Sequence, residues 1–249
     1  MGPHAHASPE NIVGATLLLC WAVVTWTAVL ALMVADRHGR GRQVYRGASA
    51  IVLLGVFGQI GHLQEHVAQV GYWVQHPNSK PWMTPWGEGL AMGFGRVDTS
   101  HPALGMEILH FVGNMIFLAG MVGVMVLTCR APGVRARMWG RMGVWMQGLH
   151  GLEHLSLMLS VWLGATRPIG VSTWFGVMHP GPGLWTYRIW WHFLANVLGS
   201  VIFAGALWHV WVDRKVIEES FLGAPATTQG KRRRAAVPQP ALARAAGSA

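Results

Sequence analysis

Residues 59–66 read QIGHLQEH, and residues 147–154 read QGLHGLEH. Both segments fit the pattern Q-x-x-H-x-x-E-H, and both lie inside strongly apolar stretches of the chain. Ionisable side chains are costly to bury in a membrane span, so they mark functional sites there by default. The duplicated motif therefore predicts one polar site inside a duplicated, apolar helical body.

A second pair of matching segments follows the first in the same order. Residues 110–114 read HFVGN, and residues 192–196 read HFLAN. We interpret residues 46–130 and 137–213 as two copies of one unit, each consisting of a span, an outer loop and a second span. Because each unit contains two spans, both copies run in the same direction, and the predicted repeat is parallel.

The composition indicates a membrane protein. The chain of 249 residues is 52% hydrophobic and 12% charged, whereas soluble domains usually contain about 25% charged residues. The net charge of +9 comes from basic residues dispersed over short connections and the C-terminal segment, so no nucleic-acid groove is predicted. The expected partners are the lipid bilayer and a metal ion, and the sequence identifies no protein partner.

Five apolar runs are long enough to cross a bilayer, which takes about 20 residues of helix. They comprise residues 11–35, 48–73, 104–129, 138–163 and 186–212. The first run has no basic segment before it and is too long for a signal peptide, so we expect it to be retained. The prediction is an all-α integral membrane protein with five transmembrane helices. One flanking helix accompanies a duplicated two-helix unit that forms a four-helix bundle.

Basic residues predict the orientation in the cell membrane. Arginines are concentrated in the connections 36–47 and 130–141 and after the last span, whereas the two longer connections contain few. The positive-inside rule then places residues 1–10 outside, as a short external N-terminus, and the C-terminus in the cytoplasm. Residues 222–249 lack the apolar content to pack and are predicted to form a disordered, basic cytoplasmic tail.

Helical spacing places the polar residues of each motif on one face. Residues i, i+3 and i+4 of a helix share a face, so His62, Glu65 and His66 point the same way, as do their counterparts in the second motif. The histidines of the HFxxN segments lie near the outer ends of their spans. All six histidines are therefore expected in the outer half of the membrane, on four helices. The predicted metal ligands are His62, Glu65, His66, Glu107, His110, His150, Glu153, His154 and His192.

The two copies differ at one position of this predicted site. Glu107 precedes His110 by three residues and gives the Glu-x-x-His pattern of carboxylate-bridged dimetal bundles, whereas Ile189 occupies the matching position of the second copy. Asn114 and Asn196 lie one turn beyond the histidines of their segments. Both are predicted to orient those histidines through hydrogen bonds.

Buried carboxylates and imidazoles require a proton, a cation or hydrogen-bond partners, and a metal ion meets this requirement. The donors suffice for two transition-metal ions, with iron or copper favoured over zinc. We predict a dinuclear redox centre of oxygenase type. If the protein is an enzyme, this centre makes it a metal-dependent membrane oxidoreductase. No residue is assigned a catalytic role. Two alternatives stay open: a protein that handles or transports copper, iron or zinc, and a b-type haem electron-transfer protein.

The use of several H-x-x-x-H clusters on membrane helices is similar to that of the membrane histidine-box enzymes, the fatty-acid desaturases and hydroxylases. Those enzymes include an HxxHH box and gather their boxes at the cytoplasmic side. No HxxHH occurs in this sequence, and its motifs are predicted to lie toward the outer face. Membership of that class is therefore not predicted.

Overall fold

The computed structural model describes residues 7–77, 79, 82–101 and 103–223, and all regular elements in these residues are helical. The α-helices are α1 (Pro9–Arg37), α2 (Gly41–Gln75), α3 (Pro85–Phe94), α4 (Leu104–Thr128), α5 (Val134–Trp162), α6 (Pro182–Val212) and α7 (Arg214–Leu222). Short 3₁₀ turns occupy Gly95–Val97 and Val171–Thr173. The prediction of an all-α fold is thereby confirmed.

Four helices, α1, α2, α4 and α6, are long and apolar enough to cross a membrane. They coincide with four of the five predicted spans. The remaining predicted span, 138–163, falls on the 29-residue helix α5, which is not among the helices of sufficiently apolar composition in the described part of the chain. The reason is its sequence: Arg135, Arg137 and Arg141 occupy its first turns, and the polar motif occupies its second half.

Hydroxyl caps fix the starts of two helices. The amide of Asn11 donates to the hydroxyl of Ser8 at 3.4 Å before α1, and the amide of Gly87 donates to the hydroxyl of Thr84 at 3.2 Å before α3. A proline follows each cap, at a position where its missing amide needs no partner. Helix α3 lies in a connection for which the sequence predicted only a loop, and it packs against α1 and α4.

Helix α4 is the central helix of the fold. It contacts each of the other long helices, α1, α2, α5 and α6, and the side chains of Phe117 and Val124 are fully buried. Helices α2 and α4 cross at Gly55 and Gly120, where a Cβ on Gly55 would lie 2.5 Å from the Cα of Gly120. The lack of side chains at this crossing lets two helical backbones approach closely, which increases their van der Waals contact.

The two ends of the helical body differ in chemistry. The long connections 76–103 and 163–181 emerge at one end, which we term the connection end. The opposite end, which we term the basic end, holds the α1–α2 and α4–α5 turns and helix α7. The arginines of the sequence-predicted cytoplasmic connections lie at this basic end.

Helix α7 was not predicted from the sequence. It packs against α2, where the ring of Phe221 lies 5.9 Å from the ring of Tyr45 and the guanidinium of Arg130 lies 4.8 Å above Phe221. The predicted disordered tail begins where α7 ends, and its residues 224–249 lie outside the described part of the chain. Residues 1–6 of the predicted external N-terminus also lie outside it.

Candidate functional site

Six histidine rings on four helices form a continuous layer, which we term the histidine layer. Neighbouring ring centroids in this layer are 4.7–6.1 Å apart. The six residues are His62 and His66 on α2, His110 on α4, His150 and His154 on α5, and His192 on α6. The layer lies in the half of the fold next to the connection end, because His110 is in the second turn of α4 and His66 is nine residues before the end of α2.

The distances within the layer repeat between its two halves. The centroids of His62 and His66 are 4.8 Å apart, and those of the matching pair on α5 are 4.7 Å apart. His66 stacks on His192 at 5.9 Å with an interplanar angle of 5°, and His110 stacks on His154 at 5.4 Å and 9°. Both stacks join a histidine of one sequence copy to a histidine of the other, so the layer has an approximate two-fold symmetry.

Backbone carbonyls fix the tautomers of the two HFxxN histidines. Nδ1 of His110 donates to the carbonyl oxygen of Met106 at 2.9 Å, and Nδ1 of His192 donates to that of Arg188 at 2.7 Å. A carbonyl oxygen only accepts hydrogen bonds, so Nδ1 carries the proton on both rings. The lone pair of each ring is therefore on Nε2, which is the nitrogen available to a metal ion or to another donor.

The histidines of the two motifs have fewer partners. Nε2 of His66 lies 3.0 Å from Nε2 of His62, and Nδ1 of His66 lies 3.2 Å from the side-chain oxygen of Gln69. The residue that matches Gln69 in the second copy is Leu157. Five imidazole nitrogens in the described part of the chain are buried without a hydrogen-bond partner. They are Nδ1 of His62, Nε2 of His150, Nδ1 and Nε2 of His154, and Nε2 of His192.

The glutamates of the two motifs bind the long connections. Glu65 accepts hydrogen bonds from the amide of Thr84 at 3.0 Å, from the hydroxyl of Thr84 and from the side-chain amide of Gln69 at 3.2 Å. Glu153 accepts from the amides of Val171 and Ser172 at 2.7 and 2.8 Å. Each carboxylate thus holds the start of a short helical element in the connection above it.

A glycine accompanies each of these two glutamates. A Cβ on Gly87 would lie 2.8 Å from a carboxylate oxygen of Glu65, and a Cβ on Gly170 would lie 2.7 Å from a carboxylate oxygen of Glu153. Real Cβ atoms do not approach other atoms so closely. The duplicated motif is thus matched by a glycine in each connection, and the sequence analysis did not identify either glycine.

Glu107 also has a partner of its own. Its Oε1 accepts a hydrogen bond from Nη2 of Arg188 at 2.9 Å, and this pair joins α4 to α6. Glu107 is almost completely buried, whereas the side chain of Arg188 is 24% exposed. The second carboxylate oxygen of Glu107, Oε2, is buried without a partner. This pair was not predicted from the sequence.

A second polar layer lies on the basic-end side of the histidines and again joins the two copies. The side-chain amide of Gln59 donates to Asn196 at 3.3 Å and to Ser200 at 3.0 Å, and that of Gln147 donates to Asn114 at 2.6 Å. The amides of the two asparagines donate to the backbone oxygens of the histidines one turn before them. The asparagines therefore contact the backbone of those histidines, while the carbonyls of residues 106 and 188 orient the rings.

Aromatic side chains pack against each other beyond this second layer. Phe117 and Phe203 pack edge to face with centroids 5.3 Å apart, and both are buried. Gly199 lies against the ring of Phe117. The polar layers are therefore followed, toward the basic end, by an apolar core.

The nine predicted ligands thus separate into two groups. The six histidines lie side by side, whereas the three glutamates face the long connections or Arg188. With the side chains in these positions, no group of three or more His, Cys, Asp or Glu residues among the described residues is placed to hold a metal ion.

Comparison with known proteins gives one match. Residues 1–244 match the sequence profile of DUF6008, a family of unknown function. No curated protein and no solved structure matches the chain.

Proposed function

The chain belongs to the DUF6008 family, and we propose that it is a multi-pass membrane protein with a transition-metal centre in its histidine layer. The centre is built from imidazoles, holds two ions, and carries out redox chemistry as a metal-dependent membrane oxidoreductase.

The observation that carries the proposal is the set of five buried imidazole nitrogens without partners. A buried polar group that makes no hydrogen bond costs about 1–3 kcal/mol. Five such groups cost as much as the whole net stability of a typical domain, which is about 5–15 kcal/mol. A neutral imidazole has one lone pair, so metal ions can bind at most four of these five nitrogens, and they remove the corresponding part of the cost, because imidazole is a common ligand of transition metals.

The spacing of the rings is compatible with shared ions. Metal–nitrogen bonds to histidine are about 2.0–2.1 Å long, so two imidazoles on one tetrahedral ion have nitrogens roughly 3.3 Å and centroids roughly 5 Å apart. The nitrogens of His62 and His66 are 3.0 Å apart, and neighbouring centroids are 4.7–6.1 Å apart. We propose that the side chains rotate on metal binding so that three nitrogens face one ion.

The symmetry of the layer supports two sites of three imidazoles. We assign one ion to His62, His66 and His110, and the other to the matching set of the second copy. The second set is His150, His154 and His192. The glutamates are left out of both sets because each already binds another group.

A donor set made only of imidazoles favours copper. Carboxylate ligands direct a site toward iron, manganese or zinc, and their absence from the two sets removes that preference. Among divalent first-row metals, a nitrogen site binds Cu²⁺ most tightly. We therefore place copper ahead of iron and zinc as the ion of this centre.

Two features favour a fixed redox centre over the alternatives. A transport path would need polar ligands that continue toward the basic end, but the apolar core around Phe117 and Phe203 lies there. A haem would need a flat slot between its axial histidines, whereas each ring of the layer has another ring within 6.1 Å.

The membrane arrangement is also part of the proposal. Helix α5 completes the set of five spans, because its contacts with α4 and α6 shelter its polar side. The positive-inside rule places the basic end in the cytoplasm. The histidine layer then lies near the outer face of the cell membrane.

Metal analysis of the full-length protein in detergent tests this proposal. After loading with Cu²⁺ and removal of free metal, we expect two copper ions per chain, and fewer than one in the variant that combines His66→Ala with His154→Ala. His209→Ala is the matched control, because His209 lies on α6 near the basic end and should keep both ions. Less than one ion per chain in the unaltered protein, or a Soret band in its absorption spectrum, would refute the proposal.

A further inference from the structure

The ion pair between Glu107 and Arg188 breaks the symmetry of the histidine layer. By position, Glu107 matches Ile189 and Arg188 matches Met106. The two charged residues therefore occupy non-equivalent positions of the two copies, and each has an uncharged counterpart. This ion pair joins the two copies on the connection-end side of the histidines.

The pair is tied to both halves of the layer. Glu107 lies three residues before His110 on α4, which puts both side chains on one helical face. The carbonyl oxygen of Arg188 holds the ring of His192 at 2.7 Å, while its guanidinium binds Glu107 at 2.9 Å. Of α4 and α6, only α4 therefore has a carboxylate on the helical face of its HFxxN histidine.

One oxygen of that carboxylate has no partner. Oε2 of Glu107 is buried and accepts no hydrogen bond, although Oε1 is well bound. A buried carboxylate oxygen requires a proton, a cation or a hydrogen-bond donor, and a donor bound to a neighbouring ion would meet this requirement. The side chain of Arg188 is 24% exposed, whereas that of Glu107 is 3% exposed.

We propose that the Glu107–Arg188 pair makes the two ion sites unequal and that Oε2 of Glu107 receives the hydrogen bond of an exchangeable oxygen ligand on the ion of the His62–His66–His110 set. That ligand is a water molecule or hydroxide in the resting state and the O–H group of a substrate when one binds. Glu107 acts here as a positioning residue. This inference rests on the proposed metal centre.

The chemistry of the other half supports the assignment. The ion held by His150, His154 and His192 has Ile189 at the matching position, and the carboxylate of its motif, Glu153, already accepts the amides of Val171 and Ser172. Groups that hydrogen-bond to metal ligands change metal affinity by about 10- to 100-fold when they are removed. The carboxylate-assisted site should therefore bind the first ion more tightly than its counterpart, by a factor in that range.

A comparison of two single-site variants tests the inference. His62→Ala damages the site next to Glu107 and leaves its counterpart, whereas His150→Ala does the reverse. We expect the dissociation constant for Cu²⁺, measured by chelator competition on the full-length protein in detergent, to be at least 10-fold higher in His62→Ala than in His150→Ala. Equal constants in the two variants would overturn the inference, even if the unaltered protein binds two ions.

A symmetrised background provides the matched control. The double substitution Glu107→Ile with Arg188→Met gives both copies the same residues and removes both charges together. In this background the ratio of the two dissociation constants should fall about 10-fold or more, and an unchanged ratio would overturn the inference. The change in this ratio between the two backgrounds also excludes a contribution from Gln69, which corresponds to Leu157, because that difference is present in both backgrounds.

A second variant distinguishes a local effect on one ion site from a general loss of folding. Glu107→Gln keeps the size and one acceptor oxygen of the side chain, and it should weaken Cu²⁺ binding in the His150→Ala protein but leave the His62→Ala protein within 3-fold. Equal weakening in both proteins would refute a role confined to one site. If the unaltered protein binds no Cu²⁺, both the proposed function and this inference are refuted, whereas two equivalent ions refute only the inference.

Discussion

Replacing Gly170 by alanine is expected to destabilise the protein through a single contact. The new Cβ would lie 2.7 Å from Oε1 and 2.9 Å from Oε2 of Glu153, and that carboxylate is held by the amides of Val171 and Ser172. The backbone of Gly170 is extended, so the alanine introduces no conformational strain of its own. The whole effect should therefore come from displacement of the carboxylate.

The size of the effect follows from two contributions. Extra atoms in a filled interior usually cost about 1–3 kcal/mol, and a hydrogen bond to a charged group is worth about 1.5–3 kcal/mol. Because the carboxylate can shift while keeping part of its bonding, we expect a net loss of about 2–3 kcal/mol. For a chain of this size, 1 kcal/mol corresponds to about 2–4 °C, so the unfolding midpoint should fall by roughly 4–12 °C.

Thermal unfolding in detergent measures this shift, and Gly148→Ala is its matched control. Gly148 lies on the same helix as Glu153, and a Cβ there would meet nothing within 4 Å. Alanine is a better helix former than glycine by about 1 kcal/mol, so the control should unfold at an equal or higher temperature. A Gly170→Ala protein that unfolds with the control would refute the role assigned to Glu153 in holding the α5–α6 connection.

Three other predictions concern the Glu107–Arg188 pair, the crossing of α2 and α4, and the carboxylate of Asp98. Arg188→Met alone leaves the carboxylate of Glu107 buried without its cation, so it should lower the free energy of unfolding by about 3–5 kcal/mol. Adding Glu107→Ile should restore most of the lost stability. Equal unfolding midpoints for the single and double variants would contradict this prediction. Gly120→Val should lower the unfolding midpoint by separating α2 from α4, while Gly61→Val, whose side chain meets free space, should shift it far less. Hydrogen bonds from Ser100, and to a smaller extent from His101, lower the pKa of Asp98 to about 2. The local order that this carboxylate supports is therefore complete above about pH 4 and is lost as the pH falls toward 2. An Asp98 carboxyl carbon that titrates near pH 4 by NMR would contradict this prediction.

Sequence reasoning was most successful where periodicity and burial agree. The HxxxH spacing and the apolar runs predicted which histidines share helical faces, and the structure places all six rings side by side. The helical class could be predicted because the apolar runs are long and the strand signals are few. The arginines at the start of α5 and its polar motif explain why its composition is less apolar than that of α1, α2, α4 and α6.

The partners of the glutamates could not be predicted in the same way. Glu65 lies on the face of its histidines, yet it binds Thr84, which is 19 residues away in a connection whose local fold the apolar pattern does not determine. The same holds for Glu153 and the turn Val171–Thr173. Spacing along a helix shows which residues share a face, but a helical face can contact a neighbouring loop as easily as another side chain of its own set.

One available signal was overlooked in the sequence. The glutamines that open both motifs, Gln59 and Gln147, are as strongly duplicated as the histidines, and each binds an asparagine of the other copy. Treating the whole motif as a set of contacts between the copies would have indicated this second polar layer. Helix α7 had no comparable signal, because it is short and lies at the start of a segment of low apolar content.

The contacts between the copies also limit how the protein can move. Proteins built from two parallel repeats often work by rocking one repeat against the other about a shared site. Here such a rotation would break the glutamine–asparagine bonds on both sides of the axis and the Glu107–Arg188 pair together. The contacts between the copies therefore oppose such a rotation of the helices.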